Sequence, residues 1–318
     1  MSSYPKPIYA YYVTFVLLFA YSVSYIDRQI LSLMVEPIKA DLHINDTQIS
    51  LLQGFAFALF YTLLGLFLGR IADHKNRRNL ILVGVIIWSL ATAAGGFATG
   101  FLTLFLARVF VGVGESSLSP SAYSMLSDYF SPERRSRAIS LYSLGVYIGS
   151  ALAFIVGGIV SEAVKNSGSW KSVFFIVSVP GFLVALLMLT VREPARHNEI
   201  ANGPVDLSYL KSKLTLFVPL ILGYSTISIV TLGLMAWVPA MFMRTWQWSA
   251  RDIGVAFGSV ILIFGLSGMM YSWCCTSSKS IPESLLWKQN RSARNANLNM
   301  FILMETYGFV RSARTNGH

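Results

Sequence analysis

Eight long apolar stretches separated by short polar runs set the pattern of this 318-residue chain. They cover residues 8–35, 48–69, 79–97, 101–125, 138–160, 171–191, 214–243 and 253–273. A helix needs about 20 mostly apolar residues to cross the ~30 Å hydrocarbon core of a bilayer, where every backbone N–H and C=O must be bonded within its own segment. Each stretch is therefore predicted to be a spanning helix, and the fold class is an all-α integral membrane protein of about eight spans. The first stretch is too long, too weakly basic at its start and too poor in small residues at its end to be a signal peptide.

The first span needs its own argument, because its uncharged run stops at Ile26 and the pair Asp27–Arg28 follows. The next residues, Gln29 to Val35, are too apolar for a solvated loop. Continuing the helix to Val35 places its stop at Glu36 and Pro37, since proline disfavours helix in the residue before it. Asp27 and Arg28 then lie inside the membrane, with Tyr9, Tyr11 and Tyr12 at the opposite headgroup level.

Composition agrees with this reading. The chain is 54% hydrophobic and 13% charged, which leaves too few polar residues to cover a water-soluble fold of this size. The net charge is +10, but the basic residues fall between the apolar runs, where they act as topology signals and contacts to anionic lipid. No basic face interleaved with aromatics occurs, so no nucleic-acid partner is expected.

Loop charge orients the chain. Lys6, Arg70, Lys75, Arg77, Arg78, Arg134, Arg135, Arg137, Arg192, Arg196, Lys211 and Lys213 fall on one side, and Lys39, Lys165, Lys171, Arg244 and Arg251 on the other. The basic excess predicts a cytoplasmic N-terminus. The expected organisation is a six-helix bundle over 1–191, a cytoplasmic linker over 192–213 containing Pro194, Gly203 and Pro204, a partial second bundle over 214–275, and a polar tail over 276–318.

Four ionisable residues fall inside spans: Asp27 and Arg28 in the first, Arg108 and Glu115 in the fourth. Such groups are costly unless paired or facing water, so each is a candidate functional residue. Counted at ~1.5 Å per residue, Asp27 lies roughly 12 Å and Arg108 roughly 10 Å from the outer ends of their helices. That match predicts an Asp27–Arg108 pair across a central cavity, with Arg28, about 100° round the helix, pointing elsewhere. Two readings stand: ion pairs that fix helix register, or carboxylates at Asp27 and Glu115 that take up protons, with Arg28 and Arg108 as ion-pair or substrate groups.

Small residues at Gly145, Gly149, Ala153 and Gly157 predict a close helix contact in the fifth span. The run Gly114 to Ser121 marks either an unwound cavity-lining segment or a kink with serines bonding backbone. Tyr224, Trp237, Phe55 and Phe57 are candidate apolar contacts of a cavity. Asn45 reads as a helix N-cap.

No phosphate-cradling GxxxxGK[ST] loop occurs, so no ATP partner is expected. Four scattered histidines and the adjacent Cys274 and Cys275 make no metal site. No cofactor and no enzymatic activity are expected. Gradient-driven transport is the remaining class.

The loop Gly69–Arg78, "GRIADHKNRR", resembles the signature G-x-L-x-D-[RK]-x-G-R-[RK] of the major facilitator superfamily, with Gly69, Asp73, Arg77 and Arg78 matching. Asn76 replaces the turn glycine and is expected to tolerate a left-handed backbone. The resemblance implies that Gly69, Asp73, Arg77 and Arg78 hold helices together at a cytoplasmic gate. Residues 25–61 and 108–138 resemble the Spinster-like subfamily, whose animal members export lysolipid-like solutes. That resemblance implies roles in proton coupling and gating for Asp27, Arg28, Arg108 and Glu115.

The antiporter motif of the fifth span is not kept, since Ser150 stands where proline belongs. After about Met270 the sequence departs from the family and becomes rich in Asn, Ser and Arg, as expected of a truncated or frameshifted product with a disordered tail. The leading function is a proton-coupled secondary transporter of an amphipathic or anionic organic solute. Alternatives are a proton symporter of small organic acids, and a transport-inactive fragment or membrane interaction protein. The expected partners are a small-molecule or lipid-like substrate, protons and the lipid bilayer.

Overall fold

A computed structural model describes residues 4–165, 169–197 and 212–277. Its regular structure is helical: α1 (Pro7–Leu33), α2 (Val35–Leu42), α3 (Asp46–Ser50), a π-helical turn at Leu51–Phe55, α4 (Ala56–His74), α5 (Arg77–Gly95), α6 (Phe101–Glu115), α7 (Leu118–Tyr129), α8 (Pro132–Lys165), α9 (Lys171–Thr190), α10 (Leu214–Thr245) and α11 (Ala250–Ser277). Among the described residues, eight helical stretches are long and apolar enough to cross a membrane, from Pro7–Leu33 through Ala250–Met269. Each overlaps one of the eight segments expected from hydropathy. The expected tail, 276–318, lies outside the described residues from position 278 onward.

The chain divides into two units, Met1–His197 with Met235–Leu266, and Asn198–Leu234 with Ser267–His318. In the first unit α1 packs along α8, α5 lies between α6 and α9, and α4 packs on α6. The second unit contains the first part of α10, whose Thr226 hydroxyl donates back to the Leu222 carbonyl one turn earlier.

Several helix ends depart from the hydropathy reading. The first span breaks at Met34 (φ −102°, ψ 8°), and α2 then runs through Glu36 and Pro37, where a stop was expected. Pro37 sits in the first turn of α2, where its missing N–H has no intrahelical partner to lose. The second span begins with a capping box, Asn45 accepting from Gln48 N at 2.9 Å while Asn45 N donates to Gln48 Oε1 at 3.0 Å, as expected for Asn45. Hydropathy gives no sign of the π turn that follows.

The fourth span is divided at Ser116–Ser117 into α6 and α7. Ser116 Oγ donates to the Val113 carbonyl at 2.6 Å and Ser117 Oγ to that of Gly114 at 2.9 Å. The serine-to-backbone bonds expected in one reading of this run are present at the break.

The predicted small-residue contact forms between α8 and α1. A Cβ on Gly149 would lie 2.3 Å from Ser22 O, and one on Gly145 2.9 Å from Leu18 O. On another face of α8, a Cβ on Gly158 would lie 2.5 Å from Ala250 O and one on Gly254 2.3 Å from Phe154 O, which brings α11 equally close.

The apolar core of this unit forms two clusters. One contains Val13, Leu17, Trp88, Val111, Met125 and Tyr142; the other contains Ile30, Leu33, Ala98, Leu104, Phe154 and Phe174. Along α1 and α6 the two clusters are separated by Asp27 and Arg108, and Thr92 of α5 follows Ala91, the last α5 residue of the first cluster. A polar layer therefore crosses the bundle between two dry ones.

Candidate functional site

The polar layer is built by α1 and α6. Arg108 Nη1 donates to Asp27 Oδ1 at 2.8 Å, and the Thr92 hydroxyl from α5 donates to the other carboxylate oxygen. Asp27 and Arg108 are 2% and 1% exposed, so the pair is dry. The expected partnership of these two residues is thus present.

Arg28 does not point away from the fourth span, as its angle round the helix suggested. Its Nε donates to Glu115 Oε2 at 2.6 Å. Side chains lean toward the N-terminus of their own helix, and consecutive spans run in opposite directions. Arg28 on α1 and Glu115 on α6 therefore reach toward each other along the bundle axis. Adjacent residues on α1 thereby engage residues seven apart on α6, with the sign order reversed.

The environment of the four charges differs. The Arg28 side chain is 17% exposed, while those of Asp27, Arg108 and Glu115 are 3% or less. Arg28 Cζ lies 4.7 Å from the Tyr25 ring centroid, 4.6 Å from Phe57 and 4.7 Å from Tyr61. Three π faces thus surround one partly accessible guanidinium, a cation–π arrangement that compensates for lost hydration. Two buried atoms of the layer, Arg108 Nε and Glu115 Oε1, have no hydrogen-bond partner among the described residues.

Of the four aromatics singled out by sequence, Phe57 belongs to this site. Phe55 is 53% exposed, and Trp237 lies 5.6 Å beneath the Arg244 guanidinium. Tyr224 belongs to the second unit. Arg244 holds the end of α10 to Glu36 at 2.6 Å and to Asp46 at 2.8 Å.

The signature loop connects α4 to α5. Arg77 is fully buried, donating to Asp128 Oδ2 at 2.5 Å, Glu193 Oε1 at 2.7 Å and Ser124 Oγ at 2.9 Å. Arg78 donates to the Met188 and Leu189 carbonyls at 3.0 and 2.8 Å, satisfying the open end of α9. Arg77 therefore ties α5 to α7 and to the chain following α9, and Arg78 ties it to the last turn of α9.

Gly69 has ordinary contact, with Pro120 Cβ 3.8 Å from its hypothetical Cβ. Asp73 is exposed near the end of α4 and makes no ion pair among the described residues. Asn76 corrects the expectation of a left-handed turn: at φ −68°, ψ 110° it is extended and caps α5, accepting from Asn79 N at 2.9 Å.

Sequence reasoning missed Asp128, Glu193, Thr92, Tyr25 and Tyr61. The first two stand near arginine-rich loops and so resembled ordinary loop charges. The others are common residues in spanning helices, and only packing distinguishes them.

Residues 17–278 match the profile of the Major Facilitator Superfamily. The chain is 31% identical over 236 residues to human protein spinster homolog 1, covering 70% of this chain and 44% of that protein. It is 28% identical over 276 residues to an MFS-type efflux pump of Mycolicibacterium smegmatis, covering 84% of this chain and 62% of the pump. Among solved structures, a bacterial homolog of the human lysosomal transporter Spinster, inward-facing and unoccupied, superposes with a TM-score of 0.74 at 30% identity, covering 86% of this chain and 64% of that one. The chain thus spans roughly half to two thirds of these relatives. The eight spans, the signature loop from Gly69 to Arg78 and the matching profile agree: this chain belongs to the major facilitator superfamily.

Proposed function

We propose that the protein is a proton-linked secondary transporter of an amphipathic or anionic organic solute, with its N-terminus in the cytoplasm. The observation carrying this reading is the crossed pair of ion pairs, Asp27–Arg108 at the boundary between two apolar clusters and Arg28–Glu115 with its carboxylate among residues of the first. A buried ion pair without its own purpose is poorly rewarded in stability, because desolvation offsets the Coulomb attraction. In this reading the charges are kept for switching. A proton on Asp27 releases Arg108, and a proton on Glu115 releases Arg28.

Arg28 is the member of the set that a solute can reach. Its guanidinium can receive a carboxylate or phosphate through paired N–H donors, while Tyr25, Phe57 and Tyr61 receive apolar carbon beside it. Loading the cavity would compete with Glu115 for Arg28, so solute binding and protonation of Glu115 favour each other. The arrangement of a six-helix bundle over 1–191, a linker over 192–213 and helices of a second bundle over 214–275 would supply the rocking halves around the cavity. In this reading Gly69, Asp73, Arg77 and Arg78 form the cytoplasmic gate.

The test is uptake into proteoliposomes driven by a pH gradient, with the 318-residue chain measured beside a twelve-span relative. We expect Asp27→Asn to abolish gradient-driven uptake while preserving solute exchange. Full gradient-driven uptake by Asp27→Asn would overturn the coupling role. Competition by lysolipids, but not by small hydrophilic carboxylates, is the expected solute preference; the reverse result identifies an organic-acid symporter. Transport by the relative alone identifies the present chain as an inactive fragment.

A further inference from the structure

The bundle contains one more buried polar group that the ion pairs do not use. Both amide atoms of Gln53, Oε1 and Nε2, are buried without a hydrogen-bond partner among the described residues. An unpaired buried amide is costly, so its presence calls for a physical role. Gln53 also sits inside the π turn Leu51–Phe55, which packs against α1 and α6. Such turns change the direction of a side chain and are frequent at functional sites.

Register places Gln53 beside the charged layer. The second and fourth spans run in the same direction and touch where a Cβ on Gly112 of α6 would lie 2.7 Å from Phe57 O. One turn back from each contact residue stand Gln53 and Arg108. Arg108 carries the complementary unused group, its buried Nε–H. A lone donor on the guanidinium and a lone acceptor on the amide thus occupy the same level of neighbouring helices.

We infer that Gln53 is a positioning residue for the proton-linked switch: its carbonyl is the alternative acceptor for Arg108 when Asp27 becomes neutral. Ionised Asp27 holds Arg108 through Nη1. Protonation weakens that bond and leaves a buried cation needing an acceptor, which Gln53 Oε1 provides from the outer end of the second span. The ionisable groups around Asp27 are Arg108 and Glu115 of α6 and Arg28 and Tyr25 of α1. From α5 it meets Thr92, which does not titrate.

This inference rests on the proton-linked reading, and the test separates the two. The probe is the infrared carbonyl band of protonated Asp27 in the purified full chain, identified by its loss in Asp27→Asn and followed against pH. Gln53→Leu removes the acceptor and makes neutral Asp27 less favourable. Its half-protonation point is expected to move about one pH unit lower, a roughly tenfold smaller protonated fraction well above that point. Gln53→Glu supplies a charged competitor for Arg108 and is expected to move the point higher. This near-isosteric variant keeps the test readable if the leucine variant does not fold. A titrating Asp27 unmoved by either substitution, or moved in the same direction by both, overturns the role of Gln53 alone. An Asp27 that never titrates in the unmodified chain overturns the proton-linked reading and this inference with it.

Discussion

Asp27 and Arg108 show why pairing matters more than charge at a buried position. Removing one partner leaves an uncompensated ion in an apolar setting, whereas removing both leaves a packing problem alone. Arg108→Met is therefore expected to destabilise the purified protein by about 3–5 kcal/mol, read as a drop in detergent melting temperature. Asp27→Leu with Arg108→Met should recover most of that loss yet remain inactive in gradient-driven uptake. Recovery of uptake would show that the pair serves stability only. Arg77 makes a related argument at the end of the bundle, where one planar fork meets Asp128, Glu193 and Ser124. Arg77→Lys keeps the charge but cannot reproduce those directions. The expected loss is about 1–3 kcal/mol, and an unchanged melt would assign the network to topology rather than to packing.

At the scale of helices, close approach rather than hydrophobicity decides which elements meet. Gly149 leaves no room for a methyl group, with Ser22 O 2.3 Å from its Cβ position, whereas nothing lies within 4 Å of that on Gly65. Gly149→Ala should push α1 from α8 and cost about 1–3 kcal/mol, while Gly65→Ala leaves the melt unchanged or raises it slightly. Equal effects would show that the α1–α8 contact is looser than described. The same elements show how far the sequence could be read. Hydropathy located each of the eight candidate spans found among the described residues, because lipid imposes a length and composition on each. It could not locate the break at Met34, the π turn at Leu51–Phe55 or the two-part fourth span, since these depend on local hydrogen bonds. Pro37 was misleading because the cost of proline depends on where in a helix it falls.

For the whole molecule, orientation is the property that charge distribution addresses most directly. A cysteine introduced at Asn76 should react with an impermeant thiol reagent only after the cytoplasmic face is opened, and one at Thr99 in intact cells. The opposite pattern would invert the proposed topology. By itself the sequence determined that the chain has about eight apolar stretches long enough to span a membrane and that Asp27, Arg28, Arg108 and Glu115 fall inside them, because these follow from the length, composition and position of apolar runs, and its signature loop determined which superfamily it resembles. Only the tertiary structure decided that Arg28 meets Glu115, that three aromatic rings enclose Arg28 and that Arg77 engages Asp128 and Glu193. Those facts depend on the lean of side chains and the registry between helices distant in sequence, which no single-helix periodicity encodes.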